Sequence, residues 1–250
     1  KLRAEVGDET LTLPEVLNRL SDPDVSRRKA AADGLATALA AAASTQALAL
    51  NTLAFEKQVE DRWRHYDDPA QSRHLANEVD GDAVAALEAA VVEAYPRLSH
   101  RYYALKAKLM GVEALDYWDR NAPLPSEDTR EVPWAEAQEM VLSAYGQFAP
   151  EMALIAKDFF DKRWIDAPSR PGKAPGAFAH PTVPSAHPYV MLNYQGKPRD
   201  VMTLAHELGH GVHQVLAAKN GALMAPTPLT LAETASVFGE MLTFKRLLAQ

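Results

Sequence analysis

The 250-residue chain is 47% hydrophobic and 24% charged, an ordinary globular composition long enough to bury a sizeable core. Its net charge of -7, with no Lys/Arg block, argues against a nucleic-acid partner. It contains no cysteine, which excludes disulfides, iron–sulfur clusters and cysteine nucleophiles, and no apolar run approaches the roughly 20 residues of a membrane helix, so no membrane partner is expected.

The chain opens on Lys1 with no visible signal peptide, and it is expected to begin inside a longer gene product. Residues 2–13 (LRAEVGDETLTL) read as two short strands around a Gly7-Asp8 turn. Ser21-Asp22-Pro23-Asp24 reads as a helix start, and the Ala- and Leu-rich stretch 24–60 predicts one long helix or two in succession. Asp67-Asp68-Pro69 marks a break. Asp80-Gly81-Asp82 caps a helix over about 82–96, and another starts at Arg101. Asn121–Pro125 (NAPLP) is a loop.

A helix opened by Pro133 then runs over about 133–147, and 151–163 is helical again. Residues 166–188 hold six prolines and read as one unpacked loop. Tyr189–Tyr194 (YVMLNY) is apolar and β-rich, a single strand. Lys197-Pro198-Arg199-Asp200 leads into a helix, and Pro226 and Pro228 precede a last helix from about 230 to the end. The expected architecture is mostly α with a small β patch next to the helix after Asp200. It divides into a helical region with a short hairpin over 1–125 and a second region, holding the helix after Asp200, over 126–250.

Thr203–Gln214 (TLAHELGHGVHQ) carries the chemistry, because His206, Glu207 and His210 form H-E-x-x-H. Residues i and i+4 share one helix face, so two imidazoles there can hold one Zn2+. Glu207 follows the first ligand directly and is placed to take a proton from water that zinc acidifies. The bland alternative is a helix with surface histidines. The longer H-x-x-G-x-x-H continuation is absent, since His213 and Leu216 occupy its glycine and histidine positions.

A catalytic zinc takes three protein ligands, which leaves a carboxylate from the following helix as the third. Glu233, among Leu231, Ala232, Ala235, Val237 and Phe238, is the candidate, since a carboxylate in apolar surroundings needs a partner. Glu240, two turns on, either hydrogen-bonds the back of a ligand imidazole or is a solvated acid. His213 either lines the site or simply packs. His180 and His187 lie in the proline-rich loop, where solvated side chains are the ordinary case.

Several segments together resemble the thimet oligopeptidase / oligoendopeptidase F family of zinc metallopeptidases, oligoendopeptidase F most of all. They are Gly176-Ala177-Phe178, Pro188–Tyr194 (PYVMLNY), Asp200–Gln214 (DVMTLAHELGHGVHQ), Leu231–Glu240 (LAETASVFGE), Tyr102–Leu109 (YYALKAKL) and Tyr117–Pro125 (YWDRNAPLP). The resemblance implies a mostly helical fold with a deep channel, and cleavage of short peptides in the cytoplasm. It implies His206, His210 and Glu233 as zinc ligands and Glu207 as the base. It further implies substrate contacts at Gly176, Tyr189 and Asn193, with Tyr189–Tyr194 as the sheet edge that pairs with substrate backbone. Members of that family continue past the second zinc helix and carry an N-terminal lobe, so the remaining lobes of a longer polypeptide are expected partners. The expected activity is zinc-dependent endopeptidase cleavage, and the alternative is a zinc-binding helical fragment without turnover. An interaction module built on the Ala-rich helices has no positive signal.

Overall fold

The computed structural model describes residues 2–125 and 130–248. The chain falls into two compact units, Lys1–Asp128 and Thr129–Gln250. The expected boundary at 125/126 abuts residues 126–129, which lie outside the described residues, as do Lys1 and the last two positions of the final predicted helix.

In the first unit β1 (Arg3–Val6) and β2 (Glu9–Thr12) form the expected antiparallel hairpin. A helix not anticipated from the sequence follows at once, α1 (Leu13–Arg19). Thr12 and Glu15 form its capping box: the Thr12 N–H and hydroxyl each donate to Glu15 Oε2 at 2.7 Å. Pro14 sits in the first turn, where its missing N–H costs nothing.

Asp24 then caps α2 (Val25–Ala41) by accepting the Ser26 N–H at 2.7 Å. Ala42 ends it, and α3 (Ala43–Arg64) leaves at a 65° bend, so the stretch 24–60 is two helices. No single described helix is long and apolar enough to cross a membrane, although this bent pair meets that test by length and composition. Three further helices are α4 (Gln71–Ala76), α5 (Gly81–Ala94) and α6 (Ser99–Met110). α4 was not expected, being too short for a periodic signal.

Two buried cations tie down the segment after α6. Arg28 Nη2 meets Asp119 Oδ1 at 2.6 Å, and its Nη1 donates to the carbonyls of Asp22 and Pro23. Lys106 Nζ donates to the carbonyls of Arg120 and Ala122 at 2.9 and 2.6 Å. Around Ala4, Val16 and Ala31 this unit builds a small core.

The second unit contains α7 (Trp134–Phe148), α8 (Pro150–Asp161), β3 (Ile165–Pro168), β4 (Phe178–His180), β5 (Tyr189–Tyr194), α9 (Pro198–Ala217) and α10 (Leu229–Leu248). Ala137, Met140, Val141, Ala144 and Tyr145 are buried on α7, the three- and four-residue spacing of one helix face. They pack with Phe159 of α8, Val190 and Leu192 of β5, and Leu204 and Leu208 of α9. Fully burying a Val, Leu or Phe side chain contributes about 1.5–3 kcal/mol.

The sheet corrects two expectations. Residues 166–188 are not all loop, since β3 and β4 lie at or within that span. The strand order is β3-β5-β4, with β3 parallel and β4 antiparallel to β5. The strand Tyr189–Tyr194 is therefore the middle of the sheet, not its substrate-pairing edge. Strands of three and four residues among prolines are too short to show period-2 alternation, which hid them.

Candidate metal centre

The helix α9 is set by its first turn. Pro198 occupies an early position where its fixed φ suits a helix. Asp200 accepts the backbone N–H groups of Gln195 and Lys197 at 2.9 and 3.0 Å, holding the entering chain. Val201, Leu204, Ala205, Leu208 and Val212 then bury one face, which leaves His206 and His210 on another. The two imidazole rings lie 5.0 Å apart at 85° to each other.

Glu233 reaches this pair from α10. Its Oε2 lies 3.3 Å from His206 Nε2 and 3.7 Å from His210 Nε2. One donor atom from each of His206, His210 and Glu233 falls within 4.8 Å of the others. Two imidazole nitrogens and a carboxylate oxygen form the His2Glu donor set of a catalytic zinc site, so these residues fit that ion. The burial argument for Glu233 does not hold, because its side chain is 51% exposed and Leu231, Val237 and Phe238 around it are also exposed. What singles it out is its approach to both imidazoles. Ser236 Oγ steadies it by donating to its Oε2 at 3.0 Å.

That approach depends on close helix packing. A Cβ added to Gly209, between the two histidines, would lie 2.8 Å from both the Ala235 carbonyl oxygen and Ser236 Cα. The two backbones touch there, and any side chain would push α10 and Glu233 away.

Glu207 is 6% exposed, one residue after the first imidazole. Burial pushes its carboxyl up to about 7; the neighbouring Glu233 charge adds to this, while His206 and the Ala179 backbone N–H of β4 oppose it. Burial lowers the His210 pKa, favouring the neutral imidazole a metal requires. Glu240 faces the far side of His206, with its Oε2 3.2 Å from Nδ1.

The other expected site residues make contacts of their own. Asn193 on β5 donates its amide to the carbonyls of Ala174 and Gly176, both at 2.9 Å, pinning the loop before β4. Gly176, at φ +84, supplies one of those carbonyls. Tyr189 starts β5, half exposed and paired with His180. His213 Nε2 lies 3.0 Å from Thr227 Oγ1. His187 stacks on Trp164, with centroids 4.0 Å apart, and His180 Nδ1 accepts the Thr182 N–H at 3.0 Å.

Sequence reasoning missed two contacts. Gln214 Nε2 donates to the Ala179 carbonyl at 3.3 Å, tying α9 to β4. Tyr145 is fully buried and donates its hydroxyl to the Ala205 carbonyl at 2.5 Å. Tyr145 has the signature of an ordinary core aromatic on α7, and nothing in the sequence marks its hydroxyl.

The sequence model described as Peptidase family M3 matches residues 19–250. Oligopeptidase PepF of Bacillus subtilis (strain 168) is 26% identical over 253 residues, an alignment covering 99% of this chain and 37% of that protein. The chromosomal oligoendopeptidase F of Lactococcus lactis subsp. cremoris is 28% identical over 224 residues, covering 89% of this chain and 37% of its own. The chain thus spans under two fifths of the length of these curated relatives. A crystal structure described as an oligoendopeptidase F from Bacillus anthracis str. Ames superposes with TM-score 0.88 at 18% identity, covering 98% of this chain and 46% of that one. PZ peptidase A with an inhibitor gives 0.86 at 18% identity, covering 98% of this chain and 45% of that one. At these identities the two structures establish the fold.

Proposed function

The chain belongs to peptidase family M3, and from that premise we propose that it is the zinc-binding segment of an endopeptidase acting on short peptides. The observation that carries the reading is the approach of Glu233 Oε2 to both imidazoles beside a buried Glu207. His206, His210 and Glu233 would hold the ion. When bound, zinc supplies Lewis acidity, polarising the scissile carbonyl and drawing the pKa of water toward about 7.

The remaining work falls to the chain's own groups. The Glu207 carboxylate takes the proton of the attacking water and delivers it to the leaving amine. The Ala179 N–H orients that carboxylate from β4. Glu240 fixes the His206 ring so that Nε2 points toward Glu233. Since β5 lies between β3 and β4, β4 is the outer strand beside the base, and the backbone N–H and C=O of its central residue, Ala179, are engaged by Glu207 and Gln214 of α9. The cytoplasmic setting and the remaining lobes of a longer polypeptide, as partners, rest on the family resemblance.

The second reading is a zinc-binding segment without turnover by itself. Hydrolysis of an internally quenched short peptide, with and without added Zn2+, separates the two. Zinc-dependent cleavage that Glu207→Gln abolishes supports the peptidase; metal binding with no cleavage supports the second reading.

A further inference from the structure

Tyr145 sits where three helices meet. Its ring is buried in the core of α7, and its hydroxyl donates to the carbonyl of Ala205, the residue before His206. The same carbonyl already accepts along α9 from the residue one turn on, so the tyrosine adds a second donor from outside the helix. Opposite lies Gly239 of α10, the residue before Glu240. A Cβ on Gly239 would overlap the Tyr145 hydroxyl, stand 3.0 Å from its Cζ and 3.1 Å from the Ala205 carbonyl oxygen. Burial drives the phenol pKa far above its ordinary value, so the hydroxyl stays a donor at every working pH.

We propose that Tyr145, seated against Gly239, is a positioning residue that sets the spacing of α9 and α10 and thereby the spread of His206, His210 and Glu233. This rests on the metal-site reading above. The hydroxyl fixes α9 at the residue before its first ligand, and Gly239 lets α10 close on it one residue before the carboxylate that backs His206. Lengthening either contact changes the distance from Glu233 to the imidazoles without touching a ligand.

The test measures Zn2+ affinity by chelator competition and the visible absorption spectrum of the Co2+ form, which reports ligand geometry. The variants are Tyr145→Phe, Gly239→Ala, their double, and Tyr194→Phe. The last removes a comparable bond in the same unit, hydroxyl to the Val132 carbonyl at 2.7 Å, whose two partners lie outside α9 and α10. Tyr145→Phe should lose about tenfold in Zn2+ affinity, the low end for residues that support metal ligands, and should shift the Co2+ spectrum. Gly239→Ala should lose more, and the double variant should recover part of that loss, since the missing hydroxyl makes room for the methyl. Tyr194→Phe should leave both readouts at parent values. If Gly239→Ala does not fold, the two Phe variants decide alone. Parent affinity and spectrum in Tyr145→Phe, or equal shifts in Tyr194→Phe, would overturn the positioning role. A parent protein that binds no metal would refute the metal centre itself, and this proposal with it.

Discussion

His206 Nδ1 lies 3.2 Å from Glu240 Oε2, while the Nε2 of the same ring faces Glu233 at 3.3 Å. The two carboxylates therefore serve one imidazole from opposite sides. Glu233 stands where a metal would bind, and Glu240 stands behind the ligand. Glu233→Ala should weaken metal binding more than Glu240→Ala, whose loss should fall within the 10–100-fold typical of groups that orient a ligand. Chelator competition on both variants ranks them. Equal affinities, or the reverse order, would contradict the assignment.

Glu207→Gln should retain metal and lose peptide hydrolysis. The amide has nearly the shape of the carboxylate but cannot accept the proton of water. The expected loss is at least the roughly 10²–10⁴-fold attributed to acid–base catalysis. Steady-state turnover of a quenched peptide, with metal content matched, checks it. Turnover at the parent rate would remove Glu207 from the mechanism.

Arg28 and Asp119 form an ion pair whose side chains are only 2% and 5% exposed. Arg28→Met would strand a buried carboxylate, and breaking such a pair costs about 3–5 kcal/mol. Replacing both partners, as Arg28→Met with Asp119→Leu, should return stability toward the parent, because no charge is left buried. Urea unfolding of the three proteins measures this. A single variant as stable as the parent would contradict the account of this anchor.

Asn193→Ala should loosen the loop before β4, since its amide bonds the carbonyls of Ala174 and Gly176. Faster amide hydrogen exchange over residues 174–180 is the expected outcome. Unchanged exchange there would mean the loop is held by other contacts.

The H-E-x-x-H spacing, the longer helices and the hairpin were legible because each has a local signature: an i, i+4 pair, helix-start residues or a Pro-free Ala- and Leu-rich run, a Gly-Asp turn. β3 and β4 were not, because strands this short gain their identity only by pairing with β5, a contact distant in sequence. The same cause misplaced the sheet edge. Glu233 was found for a reason that proved wrong, since it is half exposed; its meeting with His206 and His210 belongs to the packing of α9 on α10. Tyr145 shows the limit most clearly, because its contact with Ala205 spans 60 residues and exists only in the folded core.

The central claim is one metal centre built by His206, His210 and Glu233. The direct measurement is metal content per chain, by elemental analysis after dialysis, for the parent and for His206→Ala. The parent should hold close to one equivalent of zinc, the stoichiometry of a single three-ligand site, and His206→Ala should lose most of it. Full zinc retention in His206→Ala, or a metal-free parent after zinc loading, would contradict the account.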